Sequence, residues 1–318
     1  MKICILGAGA LGCAMGGRLA EAGNEVWLVN RNAQIVEVMN RVGLTLRSGN
    51  GAQVVDTLLQ VNAATDASGV NLANGPVELV IVLVKSFDTR GAIESAACIL
   101  GPNTVVLSLQ NGVGHEAVLA QVAGHQRVMA GKTYVGGVML APAHVLAGTQ
   151  GKETIIGELS GEATVRVLKV AATFNAAGLA TSVSPNIRVT IWEKLFVNVA
   201  TGALSGITRL NYGHLYQVPE AEACAIAAVA EAMAVARAAG IAIHTTDPQA
   251  PWVKAAAGLP FEFKASMLQS LEAGSVTEID YINGAVVDLG RSHGIPTPVN
   301  QTLVACMKGV ERALLTRS

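Results

Sequence analysis

The stretch MKICILGAGALGCAMGGRLAEAGNEVWLVNR, from Met1 to Arg31, decides the fold. Lys2 to Leu6 is a short apolar run with β-branched Ile3 and Ile5, so it reads as a strand. Gly7-Ala8-Gly9-Ala10-Leu11-Gly12 follows, a G-x-G-x-x-G string. Small residues from Cys13 to Ala22 predict a helix closed by Gly23, and Glu25 to Val29 predicts a second strand ending in Asn30-Arg31. A glycine string between a strand and a helix, with a second strand at this distance, is the context of a dinucleotide-binding turn. In that reading Gly7 permits the turn, Gly9 lets backbone approach a pyrophosphate, and Gly12 lets the helix lie close on the sheet. The helix N-terminus then offers unpaired N–H groups and partial positive charge to the phosphates. Where an NAD site usually carries Asp or Glu, this chain has Asn30-Arg31. An arginine there pairs with a 2′-phosphate, which favours NADP(H), although a solvated surface arginine is the plainer reading of the same residue.

The rest of the composition narrows the class. The chain has 318 residues, enough for two domains with cores, and hydrophobic residues make up 51% against 14% charged. A net charge of −1 implies no basic face for nucleic acid. Cys4, Cys13, Cys98, Cys224 and Cys306 are an odd set without C-x-x-C spacing, as expected of reduced thiols in a cytoplasmic protein. The histidines show no H-E-x-x-H spacing, so no metal site is expected. The N-terminus runs straight into a strand, so no signal peptide is expected. The most apolar helix, around Ala221 to Ala239, is broken by Glu222, Glu231 and Arg237, so no membrane span is expected.

Beyond Arg31 a short helix runs to about Arg41. Leu44 to Leu46 and Val54 to Val61 read as strands joined by a turn at Ser48-Gly49-Asn50-Gly51. Leu79 to Val84 is a continuous apolar run, the mark of a parallel strand buried on both faces. It ends in Lys85-Ser86-Phe87-Asp88, where Asp88 is placed to cap the next helix, up to Leu100. Gly101-Pro102-Asn103 predicts a turn before a strand from Thr104 to Leu109, which runs into Gln110-Asn111-Gly112. Further strands are predicted at Val128 to Ala130, Thr154 to Ile156 and Leu179 to Val183, with a helix from Glu162 to Ala177. This alternation predicts a Rossmann-type doubly wound parallel sheet over residues 1–185. Arg31, Lys85 and Asn111 each follow the carboxyl end of a predicted strand, the edge where such sheets bind ligands. Singly, Lys85 is also an ordinary loop lysine and Asn111 an ordinary residue before a turn glycine.

Ser184-Pro185-Asn186 marks the domain junction, and strand signals vanish beyond it. Residues 186–318 read as an all-helical domain, with helices at Ile187 to Ala203, Ala221 to Ala239, Phe263 to Leu271, Val276 to Arg291 and Pro298 to Leu315. The alanine-rich helices offer either a homodimer face or core. Lys194 and Asn198, four apart, share one helix face, with Trp192 and Leu195 making the surroundings apolar. A half-buried lysine passes a proton more readily near neutrality. Ser266 and Glu278 are, by themselves, ordinary helix residues, Glu278 being favoured by the dipole at a helix start.

Taken together the motifs resemble the ketopantoate reductase (2-dehydropantoate 2-reductase) family over nearly the whole chain. The matching stretches are Gly7 to Gly12, Val84-Lys85, Gln110-Asn111-Gly112, Trp192-Glu193-Lys194-Leu195-Phe196-Val197-Asn198, Ser266-Met267-Leu268-Gln269 and Glu278-Ile279-Asp280-Tyr281-Ile282-Asn283-Gly284. The resemblance implies an active site between a Rossmann and a helical domain, NADPH as hydride donor, and a small 2-oxo acid as substrate. It implies Lys194 as general acid, Asn198, Ser266 and Glu278 as substrate ligands, Glu278 also orienting the lysine, and Lys85 and Asn111 as contacts of cofactor and substrate. Gly137 falls on the family's small residue beside the nicotinamide. Two positions depart from the pattern: Gly202 and Phe263 stand where family members often carry asparagine. The expected activity is NADPH-dependent reduction of 2-dehydropantoate to (R)-pantoate in pantothenate biosynthesis. The alternatives are a reductase of a more apolar branched 2-oxo acid, or a non-catalytic NADPH sensor.

Overall fold

The computed structural model describes residues 1–49, 54–73 and 75–316. They form two compact units, one of residues 1–110 with 115–187 and one of residues 111–114 with 188–318. The four residues after Gln110 thus belong with the helical part, which a single cut near residue 185 does not capture.

The first unit runs β1 (Lys2–Leu6), α1 (Ala10–Glu21), β2 (Glu25–Val29), α2 (Ala33–Arg41), β3 (Leu44–Ser48), β4 (Val55–Leu59), β5 (Asn62–Ala64), β6 (Val77–Val82), α3 (Thr89–Ser95) and β7 (Leu100–Ser108). It continues with α4 (His115–Ala123), β8 (Val128–Thr133), β9 (Gly136–Ala141), β10 (His144–Gly148), β11 (Thr154–Glu158), α5 (Val165–Ala176) and β12 (Thr181–Val183). The main sheet has the order β12-β11-β8-β7-β6-β1-β2-β5 and is parallel except where β11 meets β8. All of β1 is buried, and its side chains alternate between two cores. Ile3 and Ile5 pack with α1 and with Phe174 of α5, whereas Cys4 and Leu6 pack with Ile93 of α3 and Leu119 of α4. Helices on both faces are what make continuous apolar strands stable here, since neither face meets water. Burial pushes the Cys4 and Cys13 thiols up to about 12, so both are packing residues and not nucleophiles near neutral pH.

A second sheet, β4-β3-β10-β9, joins the expected antiparallel pair β3–β4 to β10 and β9, two strands that the sequence did not suggest. It lies on the far side of α1, so that helix is pressed from two directions. A Cβ on Gly16 would sit 2.6 Å from Leu28 of the main sheet, and one on Gly17 would sit 3.2 Å from Leu44 and Leu46 of the small one. The adjacent glycines of Cys13-Ala14-Met15-Gly16-Gly17 are therefore spacers for a helix packed on both sides.

Several sequence expectations need correction. Residues 101–103 are not a turn but part of β7, where the register against β6 slips between Val77–Leu100 and Leu79–Val105. A bulge absorbs the Gly-Pro-Asn there. The predicted strand from Val54 to Val61 is β4, shortened to Val55–Leu59, and a further strand, β5, follows it in the other sheet. The turn expected at 48–51 lies partly outside the described residues. Asp88 precedes α3 but makes no capping hydrogen bond.

The second unit continues α6 (Ile187–Thr208), α7 (Tyr212–Leu215), α8 (Pro219–Ala238), α9 (Ala250–Ala256), α10 (Ser266–Glu272), α11 (Asn283–His293) and α12 (Pro298–Leu315). No described helix is long and apolar enough to cross a membrane. On α8, Ala221, Ala225, Ala228, Ala232 and Ala236 are core, packed with Phe196 and Val199 of α6, Val286 of α11 and Met307 of α12. The expected helix from Val276 to Arg291 starts only at Asn283. Thr277 is drawn off by the buried Glu311 carboxylate of α12, which accepts from its backbone N–H and its hydroxyl.

One ion pair anchors α5. The Glu158 carboxylate at the end of β11 is 5% exposed and accepts two bonds from Arg166, both 2.6 Å, and one from Thr164. Burial opposes its charge, but the guanidinium and hydroxyl bonds outweigh burial and hold the carboxyl below its usual range. A depressed carboxyl contributes stability above its unfolded pKa, and that stability is lost as pH falls through the folded value. Arg166→Leu should therefore cost about 2 kcal/mol at pH 7, discounted for the partly exposed arginine. The difference from wild type should shrink as urea melts are taken to acid pH. A deficit under about 0.5 kcal/mol at pH 7 would show the pair to be energetically idle.

Candidate active site

The first half of the candidate site is the turn after β1. Gly7 has φ +102°, and a Cβ on it would lie 2.5 Å from the Val84 backbone nitrogen. The Gly7 and Ala8 N–H groups both donate to the Val29 carbonyl, at 3.2 and 2.8 Å. Asn30 returns the tie, its amide donating to the Ala8 carbonyl at 2.7 Å. Asn30 thus fixes the turn to the end of β2, a role unread in the sequence because nothing local reveals its partner. A Cβ on Gly12 would lie 2.3 Å from the Gly7 carbonyl oxygen and 3.3 Å from Ile5, so the helix and the turn touch through backbone. Gly9, in contrast, has nothing within 4 Å of where its Cβ would be, and it is exposed.

That open position fits a pyrophosphate. Gly9 is the N-cap of α1, no side chain caps the helix, and its first turn has no acidic residue. The first bond of the helix runs from Cys13 N–H to the Gly9 carbonyl at 2.8 Å, so the Ala10, Leu11 and Gly12 N–H groups precede any intrahelical acceptor. Together with the helix dipole they suit an anion. Gly137 on β9 belongs to the same neighbourhood: its Cβ would lie 2.5 Å from the Ala10 carbonyl oxygen. Its lack of a side chain is thus required by packing against the start of α1.

Arg31 and Lys85 follow β2 and β6, which flank β1 in register and in parallel. Both side chains are exposed at the same edge of the sheet. Arg31 is held by a bidentate bond to the Asp88 carboxylate, at 3.2 and 2.8 Å. Lys85 opens the one-turn helix Ser86–Asp88. That turn is pinned by Gln110, whose amide donates to the Val84 carbonyl at 2.9 Å and the Thr89 hydroxyl at 2.7 Å. Gln110 was visible as part of a motif, but its task depends on β6 and β7 being neighbours.

The second half lies in the helical unit. On α6, Trp192, Leu195, Phe196, Val199 and Ala200 are buried, while Glu193, Lys194, Val197 and Asn198 are half-buried on the other faces. The Lys194 ammonium donates to the Asn111 side-chain oxygen at 2.8 Å. Asn111 comes with Gly112, which has φ +94° and approaches the Tyr281 carbonyl so closely that a Cβ would lie 2.4 Å from it. Val113 N–H donates to the same carbonyl at 3.2 Å. Lys194 is thus tied to Asn111 by a side-chain bond, and the residues after Asn111 to the segment that starts at buried Glu278 by short backbone contacts.

Ser266, exposed, is the first residue of α10, and the next residue, Met267, packs on Gly202 of α6, one turn beyond Asn198. A Cβ at Gly202 would meet the Met267 thioether end at 3.3–3.4 Å, so the glycine lets α10 close on α6. Phe263 meets Tyr212 edge to face with centroids 5.0 Å apart. Glu193, beside the lysine, was given no role by the sequence reading. Its carboxylate accepts from His244 N–H, Thr245 N–H and the Thr245 hydroxyl, tying the chain after α8 to α6. Burial opposes its charge, and those bonds overcome it, so its carboxyl lies below the ordinary range.

Chemically, the first unit offers an anion-binding helix start with a guanidinium nearby, and the second offers an ammonium held by a neutral amide oxygen. Among the described residues no group of His, Cys, Asp and Glu is arranged to hold a metal ion.

Comparison with known proteins places both halves of the chain in one family. Residues 3–161 match the family described as ketopantoate reductase PanE/ApbA, and residues 186–311 match its C-terminal region. The chain is similar to the 2-dehydropantoate 2-reductase of Halobacterium salinarum, at 33% identity over 98% of this chain and 99% of that one. Among solved structures it resembles the PanE/ApbA family ketopantoate reductase of Ralstonia eutropha JMP134, with TM-score 0.87, 36% identity, and 99% and 100% of the two chains covered. It also resembles D-mandelate dehydrogenase solved with NADH and anilino(oxo)acetate, with TM-score 0.88, 25% identity, and 99% of each chain covered. With both halves matched and relatives aligned end to end, this chain belongs to the ketopantoate reductase PanE/ApbA family.

Proposed function

We propose that the protein reduces 2-dehydropantoate to (R)-pantoate with NADPH, acting in the cytoplasm in pantothenate synthesis. The observation that carries this reading is the 2.8 Å bond from the Lys194 ammonium to Asn111. It supports reading Lys194 as a proton donor, since the bond holds the ammonium to the segment that packs on Tyr281. The family and its curated relatives support an oxidoreductase acting on a ketone. The likeness to a dehydrogenase solved with NADH supports a nicotinamide cofactor, and Arg31 supports the 2′-phosphate form.

In this reading the Ala10, Leu11 and Gly12 N–H groups take the pyrophosphate, Gly9 leaves room for it, Gly7 and Ala8 form the turn beneath it, and Arg31 takes the 2′-phosphate. Lys85 lends positive charge at the same edge, and Gly137 keeps the wall beside α1 thin. Bound NADPH supplies the hydride. As the ketone oxygen gains negative charge, the Lys194 ammonium stabilises it and gives it a proton. Asn111 aims that ammonium. Asn198, one turn along the same helix, and Ser266 hydrogen-bond the carboxylate and hydroxyl ends of the substrate. Glu278 accepts from a substrate hydroxyl and counterbalances the lysine's charge.

Mixing the purified protein with NADPH and 2-dehydropantoate should consume absorbance at 340 nm, with pantoate as product. Tight NADPH binding with no turnover of this or any other 2-oxo acid would rule out the enzyme reading. Lys194→Ala should lower kcat by about 10²–10⁴-fold while NADPH affinity, measured by fluorescence, stays within about threefold. Near-normal turnover would remove Lys194 from the chemistry. Gly112→Ala should lower kcat by at least about tenfold, because a side chain there must push Asn111 away from Lys194 or strain the turn. An unchanged kcat would separate the glycine's contact with Tyr281 from catalysis.

A further inference from the structure

Arg31 is the residue on which the choice of cofactor rests, and it is already engaged. Its guanidinium forms a two-pronged pair with Asp88, at 3.2 and 2.8 Å. The two partners differ in freedom. The Arg31 side chain is 82% exposed, on a long solvated stem, whereas Asp88 is 25% exposed. Asp88 also sits on a braced turn. Its N–H donates to the Lys85 carbonyl at 2.8 Å, the Thr89 hydroxyl donates to the Ser86 carbonyl at 2.7 Å, and Gln110 donates to that hydroxyl at 2.7 Å. The carboxylate makes no capping bond to α3, and its hydrogen bonds go to the guanidinium. Its placement therefore serves the guanidinium.

From this geometry we propose that Asp88 sets the NADPH-to-NADH selectivity of the dinucleotide site by competing with the 2′-phosphate for Arg31. The proposal rests on the reading of Met1–Arg31 as a nicotinamide dinucleotide site. Carboxylate and phosphate present the same pair of acceptors to a guanidinium fork, so the two bind Arg31 in mutually exclusive ways. An exposed ion pair is weak, and a dianionic phosphate can displace the carboxylate. The displaced carboxylate stays close by, held by its turn, and repels the phosphate. A ribose with a 2′-hydroxyl displaces nothing, and the Arg31–Asp88 pair can remain. The cost of breaking the pair therefore falls on NADPH alone.

The test is direct binding, by nicotinamide fluorescence or calorimetry, of NADPH and NADH to the wild type, Asp88→Asn and Asp88→Ser, without substrate. The neutral amide keeps the shape of the carboxylate, and serine keeps a short polar group before α3. Both variants should bind NADPH roughly three- to tenfold more tightly and NADH within about twofold of wild type, with the gain reduced at high salt. No change in the NADPH-to-NADH ratio, or an equal shift for both, in the variants that melt like wild type overturns the role of Asp88 while leaving the dinucleotide site intact. Wild-type protein that binds neither nucleotide overturns the site reading itself, and this proposal with it.

Discussion

Everything in the first unit depends on backbone meeting backbone where the chain leaves β1. The turn must pass within contact of Val84, the helix start must rest on the Gly7 carbonyl, and β9 must rest on the Ala10 carbonyl. Each approach has room for a hydrogen where other residues carry a carbon, so glycine stands at 7, 12 and 137 for one shared reason. The same constraint continues along α1, where Gly16 and Gly17 admit a sheet on either side. Crowding on those faces leaves Gly9 open, at the one end of the helix where unpaired N–H groups are useful to a ligand.

The helical unit is organised differently, by carboxylates that bind backbone N–H groups across the fold. Glu231, from the middle of α8, accepts from Val299 and Asn300 and so caps α12. Glu311 of α12 takes Thr277, and Glu193 of α6 takes His244 and Thr245. These bonds satisfy helix-end and loop donors that would otherwise be buried unpaired, a loss of about 1–3 kcal/mol each. They also bring the ends of the short segments 241–249 and 275–282 to fixed places. The second of these carries Glu278 and receives Gly112, so the structural carboxylates locate the residues assigned to chemistry.

Polar residues in the candidate site divide by what they touch. Asn30, Gln110 and Glu193 bind backbone and hold their own segments. Lys194 and Asn111 bind each other through side chains, and Arg31 does so with Asp88. Pairs of the second kind can be exchanged for a ligand at little structural cost, because no strand or helix is held by them. This is why Asp88, once relieved of a capping role, belongs with the site and not with the scaffold.

Much of this could be read from residue order alone, and the reason is local. The β1–turn–α1–β2 unit, the buried strands of the main sheet and the long helices α6, α8 and α12 are set by hydrophobic period, glycine placement and helix stops within about twenty residues. Lys194, Asn198, Ser266 and Glu278 stood out only through the family resemblance, since local period alone makes them ordinary helix residues. The joining of β10 and β9 to the β3–β4 pair was not legible, because His144 of β10 meets Thr45 of β3 from a distant part of the chain and the strands gain their burial only by covering α1. Nor were the bulge in β7, the unwound start before α11 or the engagement of Arg31 by Asp88, fifty-seven positions away. Local sequence determined most of the strands and helices, because period, glycines and helix stops act over short stretches. Tertiary structure alone decided which partner each polar side chain finds, because that choice depends on segments meeting across the fold.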